Sequence, residues 1–108
     1  MIKATFYKKS DGTYKGFSVK GHADFDNSGK DIVCAAVSAL AINTINSIDS
    51  LTDNKFEIKE VKSGLLEFKF TLQSDEKGQL LLKSLTLGIT EIQKEYGEKY
   101  LQVYFKEV

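Results

Sequence analysis

The stretch GHADFDNSGKDIVCAAVSALAINTINSIDSLT, Gly21 to Thr52, decides the architecture, because the chain changes its period inside it. Residues 21–31 hold Gly21, Gly29, three aspartates and Asn27 with no apolar repeat. They read as a loop of about ten residues, long for a compact domain and of the kind that more often carries function. From Asp31 the pattern turns helical: Val33, Val37, Leu40, Ala41, Ile48 and Leu51 fall on one side, and Asp31 is a good N-cap directly before them. This helix is expected to run to about Thr52.

Upstream, Ile2, Ala4 and Phe6 alternate with Lys3, Thr5 and Tyr7, Ser10-Asp11-Gly12 supplies a turn, and Tyr14 to Lys20 alternates again. That is a hairpin. Downstream, Asp53 and Asn54 break the helix, and Lys55 to Val61 and Leu65 to Leu72 alternate around Lys62-Ser63-Gly64 as a second hairpin. Ser74, Asp75 and Glu76 open a second helix with apolar residues Leu81, Leu85, Ile89, Ile92 and Tyr96, and Gly97 fits its stop. Leu101, Val103 and Phe105 alternate in a last strand. The order ββαββαβ predicts a single α+β domain over residues 1–108. The economical form is a two-layer sandwich, a mostly antiparallel sheet with two helices on one face, since each helix has one apolar stripe and each strand one apolar side.

With 108 residues and 42% hydrophobic content the chain should bury about two thirds of the surface it exposes unfolded. Lysine supplies all 15 basic residues against 15 acidic ones, and arginine is absent. Zero net charge without the guanidinium fork gives no expectation of direct nucleic-acid binding. One cysteine forms no intramolecular disulfide, and one cysteine with one histidine falls short of a zinc tetrad, so no metal or cofactor is expected. The N-terminus lacks the apolar core of a signal peptide, and no apolar run approaches the ~20 residues needed to span a membrane. The reading is a cytoplasmic protein.

The only histidine, His22, and the only cysteine, Cys34, share the deciding stretch. With Asp31 as N-cap, Cys34 is the third helical residue, where unpaired backbone N–H groups and the helix dipole favour a thiolate. Those groups can also hold the oxyanion of a tetrahedral intermediate. At 100° per residue Cys34 lies about 80° from the centre of the apolar stripe, a reachable rim position in a column with Ser38, Ala41 and Ile45. Against this, a cysteine within Ile32-Val33-Cys34-Ala35-Ala36-Val37 also suits simple packing, and His22 can end a strand with its ring in water. Asp24, Asp26, Ser28 and Gly29 imitate the front half of a calcium loop, but the twelfth position is Ala35 instead of glutamate.

Gly21-His22, then Gly29-Lys30-Asp31-Ile32-Val33-Cys34 with Ala35, Ala36, Ser38, Ala39 and Leu40, closely resembles the ribosomal-processing cysteine proteases of the Prp family. The resemblance implies that Cys34 is the nucleophile and His22 the general base, with Asp31 and Ser38 as supporting positions. It implies a substrate, the short N-terminal extension of a bacterial large-subunit ribosomal protein, cut after an apolar segment containing phenylalanine. It also implies a homodimer and a substrate loop beside the cysteine, here Ala23, Asp24, Phe25, Asp26, Asn27, Ser28, Gly29 and Lys30. Within that loop Phe25 can grip an apolar peptide, and Asp24, Asp26 or Asn27 can orient His22. The competing expectation is a non-catalytic assembly factor that binds the same precursor without cutting it.

Overall fold

The computed structural model of the chain describes residues 1–21, 28–61 and 64–108, with 28–31 described by backbone alone. Its elements are β1 (Ile2–Lys8), β2 (Tyr14–Lys20), α1 (Ser28–Leu51), β3 (Phe56–Val61), β4 (Leu65–Phe70), α2 (Glu76–Tyr96) and β5 (Leu101–Glu107). The strands form one sheet in the order β3-β4-β2-β1-β5. The pairs β1–β2, β2–β4 and β3–β4 are antiparallel and β1–β5 is parallel, so the sheet is mixed. A parallel neighbour needs a crossover, and α2 supplies it by carrying the chain from β4 to the far side of β1.

Strand alternation puts one apolar side chain from each strand into a single cross-sheet row: Ile58, Phe68, Phe17, Phe6 and Phe105 stand opposite one another in register. Neighbouring rings stack, Phe17 on Phe68 at 5.4 Å and Phe6 on Phe105 at 5.7 Å between centroids. The three central phenylalanines are fully buried, each contributing on the order of 1.5–3 kcal/mol by area removed from water. At the ends of the row Ile58 is 43% and Phe105 54% exposed, because the edge strands reach past the helical layer.

The second helix is capped as its sequence predicts. Asp75 accepts a hydrogen bond from the Gly78 N–H at 3.0 Å, and Gly97, at φ +97°, donates its N–H to the Gln93 carbonyl at 2.7 Å. Asn54 ties the cap to the end of α1, donating from its Nδ2 to Asp75 Oδ1 at 2.8 Å. Gln79 on α2 satisfies both backbone groups of Tyr14, where the β1–β2 register shifts: the Tyr14 N–H donates to its Oε1 and its Nε2 donates to the Tyr14 carbonyl. Leu40 on α1 reaches into the space left by Gly88 on α2, where a Cβ would meet Leu40 Cδ1 at 2.8 Å.

Several sequence expectations need correction. The first helix begins at Ser28, so Asp31 is its fourth residue instead of its N-cap. Apolar periodicity begins only at Ile32, while Ser28, Gly29 and Lys30 contain no proline to stop a helix propagating back over polar residues. Leu51 is 70% and Tyr96 41% exposed: each stands in the last turn of its helix, where the periodicity continues beyond the packing partner. Leu82, absent from the expected stripe of α2, is fully buried. Finally, Ile32–Leu51 is long and apolar enough to cross a membrane, with a mean hydropathy of 1.5. Here it is a core helix, one side of which is buried with Val33, Val37, Ala41 and Ile48.

Candidate active site

Three pieces of backbone meet at one end of the sheet. The end of β2 pairs with the start of β4 through Lys20 and Leu65, the Gly21 N–H donates to the Gly64 carbonyl at 3.1 Å, and the Gly64 N–H donates to the Val61 carbonyl at 3.1 Å. These bonds join the segment leading into α1 to the β3–β4 turn. Gly21 is the residue that makes the junction possible. Its φ is +93°, and a Cβ there would stand 2.4 Å from the Met1 carbonyl oxygen, so both the conformation and the approach of the first strand require glycine. His22 therefore follows a residue whose backbone is fixed on two sides.

Cys34 lies in the second turn of α1, as its seventh residue. The expected reachable rim position is not what the structure gives, since Cys34 is only 3% exposed and belongs to the main core with Val33, Val37, Ala41 and Ile45. Leu40 and Leu51 bias the centre of the stripe read from sequence; with the residues that are buried, Cys34 lies about 40° from the centre instead of about 80°. Ser38, one turn on, is half-buried on the same side of the helix, while Ala35 and Ala39 face solvent.

The expected oxyanion donors change for the same reason. Because α1 starts at Ser28, its unpaired N–H groups belong to residues at or before Lys30, a full turn before Cys34, whose own N–H lies inside the helical ladder. Asp31 is a backbone position within the first turns of α1. Of the expected substrate loop, Ser28, Gly29 and Lys30 are helical. His22, Ala23, Asp24, Phe25, Asp26 and Asn27 lie outside the described residues, so the His22–Cys34 pairing does too. Among the described residues no group of three or more histidine, cysteine or carboxylate side chains is placed to hold a metal ion. Sequence reasoning overlooked Gly64 and Met1, the backbone partners that hold Gly21; a glycine closing an alternating strand was the available signal.

Residues 1–101 match the family described as cysteine protease Prp. The chain belongs to this family. It is 30% identical over 104 residues to the ribosomal processing cysteine protease Prp of Bacillus subtilis (strain 168), covering 91% of this chain and 92% of that one. Among solved structures it is similar to the essential ribosomal processing protease Prp from S. aureus in complex with a substrate peptide. There the TM-score is 0.91 at 25% identity, over 98% of this chain and 100% of that one. The S. aureus protease with a covalently linked product peptide matches with a TM-score of 0.87 at 26% identity, again over 98% and 100%. The family match ends at the first residue of β5, and the likeness to the S. aureus structure, over 98% of the chain, extends beyond it.

Proposed function

We propose that the chain is a cytoplasmic cysteine endopeptidase that removes the N-terminal extension of a bacterial large-subunit ribosomal protein, with Cys34 as nucleophile and His22 as general base. The observation that carries this reading is the Prp family match across residues 1–101, which spans both residues and the glycine that precedes His22. In the reaction His22 takes the thiol proton and the Cys34 sulfur attacks the scissile carbonyl. The leaving amine departs with the proton from His22, and water then releases the acyl group and restores the thiol. The covalently linked product peptide of the S. aureus relative supports an acyl-enzyme of this type. Asp31 and Ser38 flank the nucleophile as supporting positions, residues 23–27 together with the first turn of α1 contact the peptide, and the working form is a homodimer.

The 3% exposure of Cys34 favours a second reading, a binding module that recognises the same precursor without cutting it. A cleavage assay separates the two. Incubation with a synthetic peptide spanning the extension of the precursor, followed by mass spectrometry, should give one cut with the unmutated protein and none with Cys34→Ala or His22→Ala. Peptide binding without any cut by the unmutated protein would establish the module instead.

A further inference from the structure

The zero net charge of the chain hides a segregation that strand alternation creates. Apolar residues of the five strands point to the helices, so the residues between them point to the other, uncovered face. In register across that face stand Glu57, Lys69, Gly16, Tyr7 and Lys106, then Lys59, Glu67, Ser18, Thr5 and Tyr104, and finally Lys20, Lys3 and Gln102 beside Val61 and Leu65. Five lysines, Lys3, Lys20, Lys59, Lys69 and Lys106, thus share one face with two carboxylates, Glu57 and Glu67. All five lysines are exposed. Among the described residues the other carboxylates lie on the helices, in the turns or on the helix side of the strands, as with Glu60 and Glu107.

Gly16 interrupts this face. With no side chain between Lys69 and Tyr7, it leaves a groove of about 660 Å³, floored along Phe17 and Phe68, walled by Tyr7 and rimmed by Lys9, Lys15 and Lys69 against the single acidic side chain Glu67. The Tyr7 ring is held by the contact of its hydroxyl with Ser18 Oγ at 3.2 Å, and the Tyr104 hydroxyl donates to Gln102 Oε1 on the same face. Fixed aromatic rings on an open sheet, surrounded by cations, suit bases that stack and phosphates that neutralise lysines.

We propose that this face binds single-stranded nucleic acid, with a base in the Gly16 groove against Tyr7 and the phosphates along Lys9, Lys15, Lys69 and the lysines beyond. A second copy of the chain is the wrong occupant, since two such faces brought together would oppose like charges. Lysine without arginine neutralises phosphate but lacks the bidentate fork that reads guanine, so the binding is tolerant of sequence. The assignment is independent of the protease reading, because Tyr7, Lys9, Lys15 and Lys69 lie away from the candidate active site, which the face meets only at its Lys20–Leu65 end.

The test is fluorescence anisotropy of a labelled twelve-nucleotide single-stranded RNA of mixed sequence, titrated with the full chain at several salt concentrations. The expected dissociation constant at physiological salt is in the ~10⁻⁴–10⁻⁶ M range of non-specific binders. The Lys15→Gln, Lys69→Gln double variant should reduce the slope of log affinity against log salt by about 1.4, since each phosphate contact on a single strand contributes about 0.7. Tyr7→Leu should weaken binding roughly tenfold while Tyr7→Phe retains it, because stacking needs the ring and not the hydroxyl. Peptide cleavage should be unchanged in the same variants, and thermal unfolding should show each of them folded at the assay temperature, with a modest loss at Tyr7 from the broken bond to Ser18. No binding at low salt, or binding indifferent to all three changes, would overturn the proposal. So would equal competition by poly-glutamate, a polyanion that lacks bases.

Discussion

Replacing Gly21 by alanine tests the link between backbone geometry and the candidate site, and Gly12 supplies the control. Both residues have φ near +90°, +93° at Gly21 and +89° at Gly12, so alanine brings a similar conformational cost of about 1–3 kcal/mol at either position. They differ in what the new methyl meets: nothing lies within 4 Å at Gly12, whereas at Gly21 the Met1 carbonyl oxygen stands at 2.4 Å. That oxygen cannot move alone, because the next residue, Ile2, donates its N–H to the Tyr100 carbonyl at 3.0 Å and pairs with Leu101 in the sheet. Relieving the contact shifts β1 or breaks the Gly21–Gly64 hydrogen bond, adding about 1–2 kcal/mol. The expected totals are about 1–3 kcal/mol for Gly12→Ala and about 2–5 kcal/mol for Gly21→Ala, the latter a large part of a typical stability of ~5–15 kcal/mol. Urea unfolding reads this directly: with m of about 1.5 kcal/mol/M, the midpoint of Gly21→Ala should fall about 0.7–1.3 M below that of Gly12→Ala. Cleavage should be impaired by Gly21→Ala and intact in Gly12→Ala, because only Gly21 carries His22. Equal midpoints in the two variants would refute the assignment of Gly21 as a backbone clamp.

Phe17→Ala should destabilise the fold by about 3–5 kcal/mol in the same urea assay, since it empties the centre of the cross-sheet row and leaves Phe68 stacked on Phe56 alone among the described rings. The Asp75 carboxyl is held below its ordinary value, first by the Gly78 N–H and then by Asn54, so its stabilising effect is present above pH ~4 and lost as acid protonates it. Asp75→Asn should therefore narrow the gap in melting temperature between pH 7 and pH 3, and an unchanged gap would remove the cap from the acid response. Cys34, at 3% exposure, should react with iodoacetamide more slowly than a small-molecule thiol at the same pH, and faster when urea below the unfolding transition promotes local opening. A rate equal to that of the free thiol would show that the site is open in solution.

The local features were legible because their causes are local. β2 was bounded at Tyr14 and Lys20 from alternation alone, and the Asp75 cap and Gly97 stop of α2 follow from residue chemistry within one turn. The start of α1 was misplaced because polar residues carry no period, and that four-residue error moved Cys34 from the first turn to the second. Its burial was underestimated because Leu40 and Leu51 have the right spacing but lack a full partner. The parallel pairing of β1 with β5 joins residues from opposite ends of the sequence, which no local pattern encodes. The segregation of charge was hidden for a related reason: a sum over the chain is blind to alternation, and register decides which lysines share a face.

The central place of β1 also sets a schedule for folding. The ribosome makes β1 long before β5, yet one of the two edges of β1 stays bare until Leu101–Glu107 has been added to the chain. Until then a nascent molecule can form both hairpins and the helix pair but not the full sheet, and Phe6 lacks the ring of Phe105. Closure of such a distant pairing is slow compared with hairpin or helix formation, so the bare edge is the stretch a chaperone or another nascent chain would find first. Capacity to fold, and with it any activity that needs Gly21 seated against the first strand, arrives only with the last strand.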